Sequence, residues 1–131
     1  MSKLPFVLKR ISEMTKEFGL DVGNVFHAGD GNMHPLILYN ANKPGDLETC
    51  EAFGAEILKL CVEVGGCLTG EHGVGIEKRD LMHIQYSDDD LEVQMAIKDV
   101  FDPKWLLNPT KVFPLDASAE RRAGGKQETA A

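Results

Sequence analysis

Val22-Gly23-Asn24-Val25-Phe26-His27, then Ala28-Gly29-Asp30-Gly31-Asn32, then Met33-His34-Pro35-Leu36-Ile37-Leu38-Tyr39 is the stretch on which the fold reading turns. The outer segments are short apolar runs of strand length, and the middle one is dense in turn residues. Together they predict a β-hairpin, or two neighbouring strands with a tight connection.

Helices are expected on both sides of it. Leu4, Val7, Leu8, Ile11, Met14 and Phe18 recur at three- and four-residue intervals, the stripe of an amphipathic helix that Gly19 closes. Beyond the loop from Asn40 to Gly45, Asp46 is placed to cap a long helix with a buried stripe of Leu47, Cys50, Phe53, Ile57, Cys61 and Val64, ending at Gly65-Gly66. A glycine-rich stretch to Gly75 follows, then a helix from near Ile76 towards His83. Ser87 before Asp88-Asp89-Asp90 is an N-cap signal for a further helix through Val93, Ile97, Val100 and Phe101, stopping before Pro103. Trp105, Phe101 and the neighbouring leucines are expected in the core, and the chain after Pro109 is expected to be extended. From Ala117 no apolar pattern remains.

The expected class is therefore α+β: a small antiparallel sheet with packed helices plus a helical C-terminal portion. The expected organisation is one domain over residues 1–116 and a disordered tail over 117–131. Two strands against four helices make a thin sheet, which suggests that further strands belong to a larger parent protein.

Bulk properties exclude several classes. The 131 residues are 43% hydrophobic and 27% charged, an ordinary globular composition. A net charge of −7 leaves no basic face to neutralise phosphates, so nucleic acid is not expected as a partner. No apolar run approaches the roughly 20 residues of a membrane span, and the N-terminus lacks the pattern of a signal peptide. Cys50, Cys61 and Cys67 are odd in number and lack Cys-x-x-Cys spacing, which favours reduced thiols in a cytoplasmic protein over a zinc–thiolate or iron–sulfur site.

Two clusters carry chemistry. In His27-Ala-Gly-Asp-Gly-Asn-Met-His34, histidines on two strands flank a tight turn and can face each other across the hairpin, a way to grip a divalent metal. Asp30 could bind metal but is better placed to close the turn or support a histidine. The alternative is that both histidines are ordinary pocket-edge residues. In Gly70-Glu71-His72-Gly73-Val74-Gly75, a carboxylate and an imidazole are bracketed by glycines, which permit positive φ and close backbone approach. An extended backbone would point Glu71 and His72 in opposite directions. His27, His34 and Glu71 then offer three N/O ligands with a coordination position open, the arrangement of a catalytic metal, and His72 is left as an acid/base. Gly73-x-Gly75 alone is a weak phosphate-loop signal. His83 sits in a helical pattern and reads as a surface or core histidine, and the Asp88–Asp90 run as a capping face.

The stretch from Val25 to Leu38, Cys61-Val-Glu-Val-Gly-Gly, Thr69-Gly-Glu-His-Gly-Val-Gly, Phe101-Asp-Pro and Leu106-Leu-Asn-Pro resembles, in order, the C-terminal domain of FAD-linked oxidases of the vanillyl-alcohol oxidase type. The likeness runs from about Leu4 to Pro114. It is nearest to bacterial glycolate oxidase flavoprotein subunits, with D-lactate and D-2-hydroxyglutarate dehydrogenases as relatives. The resemblance implies that His27, His34 and Glu71 bind a divalent metal (zinc, manganese or iron), that His72 is the base, and that Asn108 lies near the flavin. Thr110 stands where the family's Asn-Pro-Gly-Lys motif has glycine, which puts the local backbone in question.

It also implies a reaction: oxidation of a small 2-hydroxy acid to a 2-oxo acid, with hydride transfer to FAD. Flavin-binding segments of such enzymes lie in an N-terminal domain with no counterpart here. The expectation is a C-terminal fragment, inactive and nearly flavin-free alone, that partners an FAD-binding domain or chain and other oxidase subunits. Its location is expected to be cytoplasmic or peripheral at the inner membrane, and an uncovered apolar surface would favour homo-oligomers. Two other readings compete: a non-catalytic module docking onto a flavin-binding chain, and a metal-dependent hydrolase, for which no nucleophile motif is present. Lys78 and Arg79 are the cations nearest the motifs.

Overall fold

The computed structural model describes residues 3–27 and 29–127. The chain divides into two compact units, Met1–Gly70 and Glu71–Ala131. The class is α+β, with an antiparallel two-stranded sheet and packed helices, as expected.

In the first unit, α1 (Leu4–Phe18) buries Val7, Ile11 and Met14, the i, i+4, i+7 face of its apolar stripe. Gly19 ends it in the left-handed region (φ 67°), its N–H donating to the Thr15 carbonyl. The exposed face is held by Arg10, which donates to Glu17 across 2.7 Å. Strands β1 (Asp21–His27) and β2 (Asn32–Leu38) pair antiparallel, with Val22 opposite Ile37 and Phe26 opposite Met33. This is the hairpin read from the sequence; Ala28 lies outside the described residues.

Helix α2 (Asp46–Glu63) follows. Its N-cap is Gly45 (φ 86°) and not Asp46. Asp46 is instead the first helical residue and is buried, accepting from the Asn40 amide at 3.2 Å and from the Lys43 ammonium at 2.7 Å. It closes the preceding loop, and Lys43 first, then the Asn40 amide, hold its carboxyl below the usual range. Phe53, Ile57 and Leu60 of α2 join Val7, Ile11, Met14 and Leu20 in the core. Phe18 stacks on Phe53 with centroids 4.8 Å apart. Leu47, expected in the stripe, is exposed.

The hairpin turns one face to this core. Val22, Met33 and Ile37 share it and pack against the buried cluster. By the two-residue alternation of strands, Val25, His27, Asn32, His34, Leu36 and Leu38 occupy the other face. Val25 and Leu38 there are 57% and 62% exposed.

The second unit departs more from expectation. The region from Ile76 to His83 is not one helix: turns lead to a 3-10 turn at Arg79–Leu81 and the single-turn α3 (Met82–Gln85). Helix α4 (Asp88–Phe101) carries the predicted cap as a full capping box, Asp90 N–H to Ser87 Oγ and Ser87 N–H to Asp90 Oδ2. Its buried residues are Leu91 and Met95. Val93, Ile97, Val100 and Phe101 are 64%, 59%, 76% and 81% exposed, so the expected core stripe faces outward. Val93 lies two residues from Leu91, a rotation of roughly 200° about the axis, so α4 has two apolar stripes and only one is covered.

Trp105 is buried as expected, but Leu106 and Leu107 are exposed. Trp105 packs with Phe113 and donates from Nε1 to Asp99 at 2.5 Å. The segment after Pro109 is bent and not extended, with Thr110 and Val112 at φ 67° and 73°. Within the range read as a tail, α5 spans Ala119–Gln127. Arg121 forks onto two carboxylates of α4, pairing with Glu92 and donating from Nε to Asp99 at 2.8 Å. Sequence composition carries no sign of such long-range pairing. Residues 128–131 of the tail lie outside the described residues.

Candidate functional site

The hairpin positions the two histidines by register. His27 is opposite Asn32 and His34 is opposite Val25, so the histidines are diagonal neighbours on the face turned away from the first unit's core. Diagonal Cβ atoms are roughly 7–8 Å apart, within reach of long side chains. The imidazoles close that gap and meet edge to face, centroids 5.3 Å apart at 86°. One ring nitrogen of each lies within 4.8 Å of the other's. The turn that makes this possible is closed by Asp30, whose amide donates to the His27 carbonyl at 3.0 Å. Asp30 therefore has the turn-closing role expected of it. His27 is exposed and His34 half-buried.

Asn32 adds a contact that the sequence does not reveal. A Cβ built on Gly70 would lie 2.5 Å from Asn32 Oδ1 and 3.0 Å from its Cγ. The Asn32 carboxamide occupies the space that a side chain at position 70 would enter, so any larger residue there must displace it. The end of the first unit is thereby held beside the hairpin, and Glu71 is the next residue in the chain. The only sequence signal was the glycine itself.

Glu71 and His72 open the second unit on bends, not on an extended segment. Their side chains consequently do not diverge: His72 Nε2 lies 3.8 Å from Glu71 Oε1, both side chains being well exposed. Gly73 (φ 83°) and Gly75 (φ 60°) take the left-handed conformations expected of a glycine-bracketed loop.

Asn108 is exposed and left-handed (φ 46°), its side-chain oxygen accepting from Lys111 Nζ at 3.3 Å. Thr110 takes positive φ although it is not glycine. His83 is apart from these loops, between Asp116 (3.4 Å) and Asp88 (3.6 Å), an exposed surface histidine. Arg79 is no open cation: its side chain is 16% exposed and Nη1 donates to the Thr110 carbonyl at 2.6 Å.

Among the described residues no helix is long and apolar enough to cross a membrane. Comparison with known proteins adds the family context. The description "FAD linked oxidases, C-terminal domain" matches residues 1–112. The chain is 52% identical over 111 residues to the glycolate oxidase subunit GlcD of Escherichia coli K12, covering 85% of this chain and 22% of that protein. It is 38% identical over 116 residues to the mitochondrial D-lactate dehydrogenase (cytochrome) of Kluyveromyces lactis, covering 88% and 20%. A D-2-hydroxyglutarate dehydrogenase of Stutzerimonas stutzeri is 37% identical over 121 residues, covering 86% and 25%. The chain thus spans a quarter or less of the length of these curated relatives.

Proposed function

Because the chain belongs to the family of FAD linked oxidases, C-terminal domain, we propose that it supplies the substrate side of a flavin-dependent 2-hydroxy-acid oxidoreductase. The reaction is oxidation of a 2-hydroxy acid, glycolate or D-lactate in class, to the 2-oxo acid. The observation that carries this reading is the pairing of His27 and His34 on one face of the hairpin. It is supported by relatives named as glycolate oxidase and D-lactate dehydrogenase.

His27, His34 and Glu71 are the proposed ligands of a divalent cation: zinc, manganese or iron. The donor set fits, since two imidazoles and a carboxylate suit such ions and leave a position open. When bound, the cation would polarise the substrate's hydroxyl and carboxylate, and FAD would supply the two-electron acceptor. His72 takes the hydroxyl proton as general base. Asn108 would contribute to holding the flavin in the assembled enzyme. The hydrogen on C2 departs with its electron pair, balancing the oxidation.

The domain's proposed extent is residues 1–116, and its proposed setting is cytoplasmic or peripheral at the inner membrane. Alone it binds little FAD and shows no oxidase activity. A flavin-bearing domain or chain completes it, alongside other oxidase subunits or a second copy. The exposed stripe Val93, Ile97, Val100 and Phe101 favours a second reading, a non-catalytic docking module for such a chain.

Two measurements separate these. Titration of the chain with Mn²⁺ or Zn²⁺ should show one tight site, lost in His27→Ala and His34→Ala. Affinity unchanged in both variants would sink the ligand assignment. Addition of a flavin-bearing partner should restore 2-hydroxy-acid oxidation with wild type but not with His72→Ala. Equal activity with both would leave only docking.

A further inference from the structure

Among the described residues of the second unit, four other than glycine have positive φ, and they fall within eight positions: Trp105, Asn108, Thr110 and Val112. For the β-branched Thr110 and Val112 this conformation is a true outlier, because Cβ crowds the following carbonyl. Such residues keep it only where surrounding contacts over-determine it.

Two contacts do so. The Thr110 carbonyl accepts from Arg79 Nη1 at 2.6 Å, and the Val112 N–H donates to the Gly75 carbonyl at 2.7 Å. One bond lies on each strained residue, and both lead back to the segment that follows His72. Arg79 is suited to this task. Its side chain is largely buried, and its Nε is buried without a hydrogen-bond partner, 3.5 Å from the exposed Asp80 carboxylate. Such a buried unmatched donor is costly, which is understandable if the guanidinium is aimed at Thr110 at the expense of its other bonds.

We propose that Arg79 is a positioning residue: through the Thr110 carbonyl it holds Asn108–Val112, with its left-handed Asn108, Thr110 and Val112, and tethers it to the loop carrying Glu71 and His72. The inference about the strained segment stands on the second unit alone; its consequence for metal and flavin rests on the proposed function. Removing the guanidinium lets the Thr110 peptide rotate, Val112 leave Gly75, and Asn108 and the Glu71–His72 loop move independently. Glycine at position 110 takes the same φ without the Cβ penalty, so the segment should depend less on Arg79.

The test is residue-resolved amide hydrogen exchange on the full chain, with Mn²⁺ titration alongside. Arg79→Ala should speed exchange of the Val112 amide by about tenfold or more and weaken Mn²⁺ binding by a comparable factor. Thr110→Gly should change little by itself and restore both quantities in the double variant. If Arg79→Ala does not fold, Arg79→Gln, too short to reach the Thr110 carbonyl, takes its place. Unchanged Val112 exchange, or an Arg79→Ala effect of the same size in the Thr110→Gly background, overturns the proposal. If exchange responds as expected but wild type binds no Mn²⁺, the tether stands and the ligand assignment fails.

Discussion

His27 and His34 meet edge to face with ring centroids 5.3 Å apart, although neither is the other's partner in the strand register. Their residue pairs are Asn32 and Val25, so the contact depends on two long side chains leaning along a diagonal of one sheet face. A one-residue slip of either strand would send one imidazole to the core face.

Gly70 and Gly66 should respond differently to alanine. At Gly70 the added Cβ meets the Asn32 carboxamide, which can swing aside. At Gly66 it meets the Cys61 carbonyl oxygen at 2.8 Å, a backbone atom at the end of α2 that cannot. Gly66→Ala should cost about 1–3 kcal/mol in urea denaturation and Gly70→Ala less than about 1 kcal/mol. Gly70→Ala should nevertheless weaken Mn²⁺ binding, and Asn32→Ala in the same chain should recover part of the loss.

Phe53 and Phe101 test the placement of the core. Phe53 is fully buried and stacked on Phe18, whereas Phe101 is 81% exposed at the end of α4. Phe53→Ala should cost about 3–5 kcal/mol. Phe101→Ser should stay within about 0.5 kcal/mol in the isolated chain. A large loss from Phe101→Ser would show that the outer stripe of α4 is covered in solution, and sedimentation would then identify a self-associated species.

Asp102 should give part of the second unit's stability its pH dependence. Its carboxylate accepts from Lys98 Nζ at 2.7 Å and from the amides of Leu106 and Leu107 at 3.0 Å each. The Lys98 bond first, with the two amides adding and burial opposing, holds its pKa below the ordinary carboxylate value. A depressed native pKa contributes stability that is fully present above the unfolded value of about 3.9 and lost as pH falls through the native value. Asp102→Asn should therefore be least stable relative to wild type near neutrality, with the gap narrowing below about pH 4. A gap that widens towards acid would reverse the assignment.

Arg121 should act as the anchor of α5. It pairs with Glu92 and Asp99, both partly exposed, so solvent screening keeps the expected loss for Arg121→Ala to about 1 kcal/mol. Trp105, the single tryptophan, donates to the same Asp99 carboxylate and reports the change. Its fluorescence should shift modestly to the red in Arg121→Ala, and a chain ending before Ala119 should show the same shift. An unaltered spectrum in both would mean that α5 does not brace this region.

The linear order of residues determined α1, the hairpin, α2 and the capped start of α4, because each is a local signal. Stripes at helical spacing, a turn run between apolar segments, and Ser87 before three aspartates need no distant partner to be read. The same local chemistry marked His27, His34, Glu71 and His72 as the residues to watch. Which face of α4 is buried, and that Ala119–Gln127 is helical and paired to α4, depended on partners far along the chain. The bond from Arg79 to Thr110 spans 31 positions, and the fork from Arg121 to Glu92 spans 29. Two apolar stripes on one helix look alike in sequence. Only tertiary packing chooses between them, because burial depends on what another segment brings against the face and not on the residues that form it.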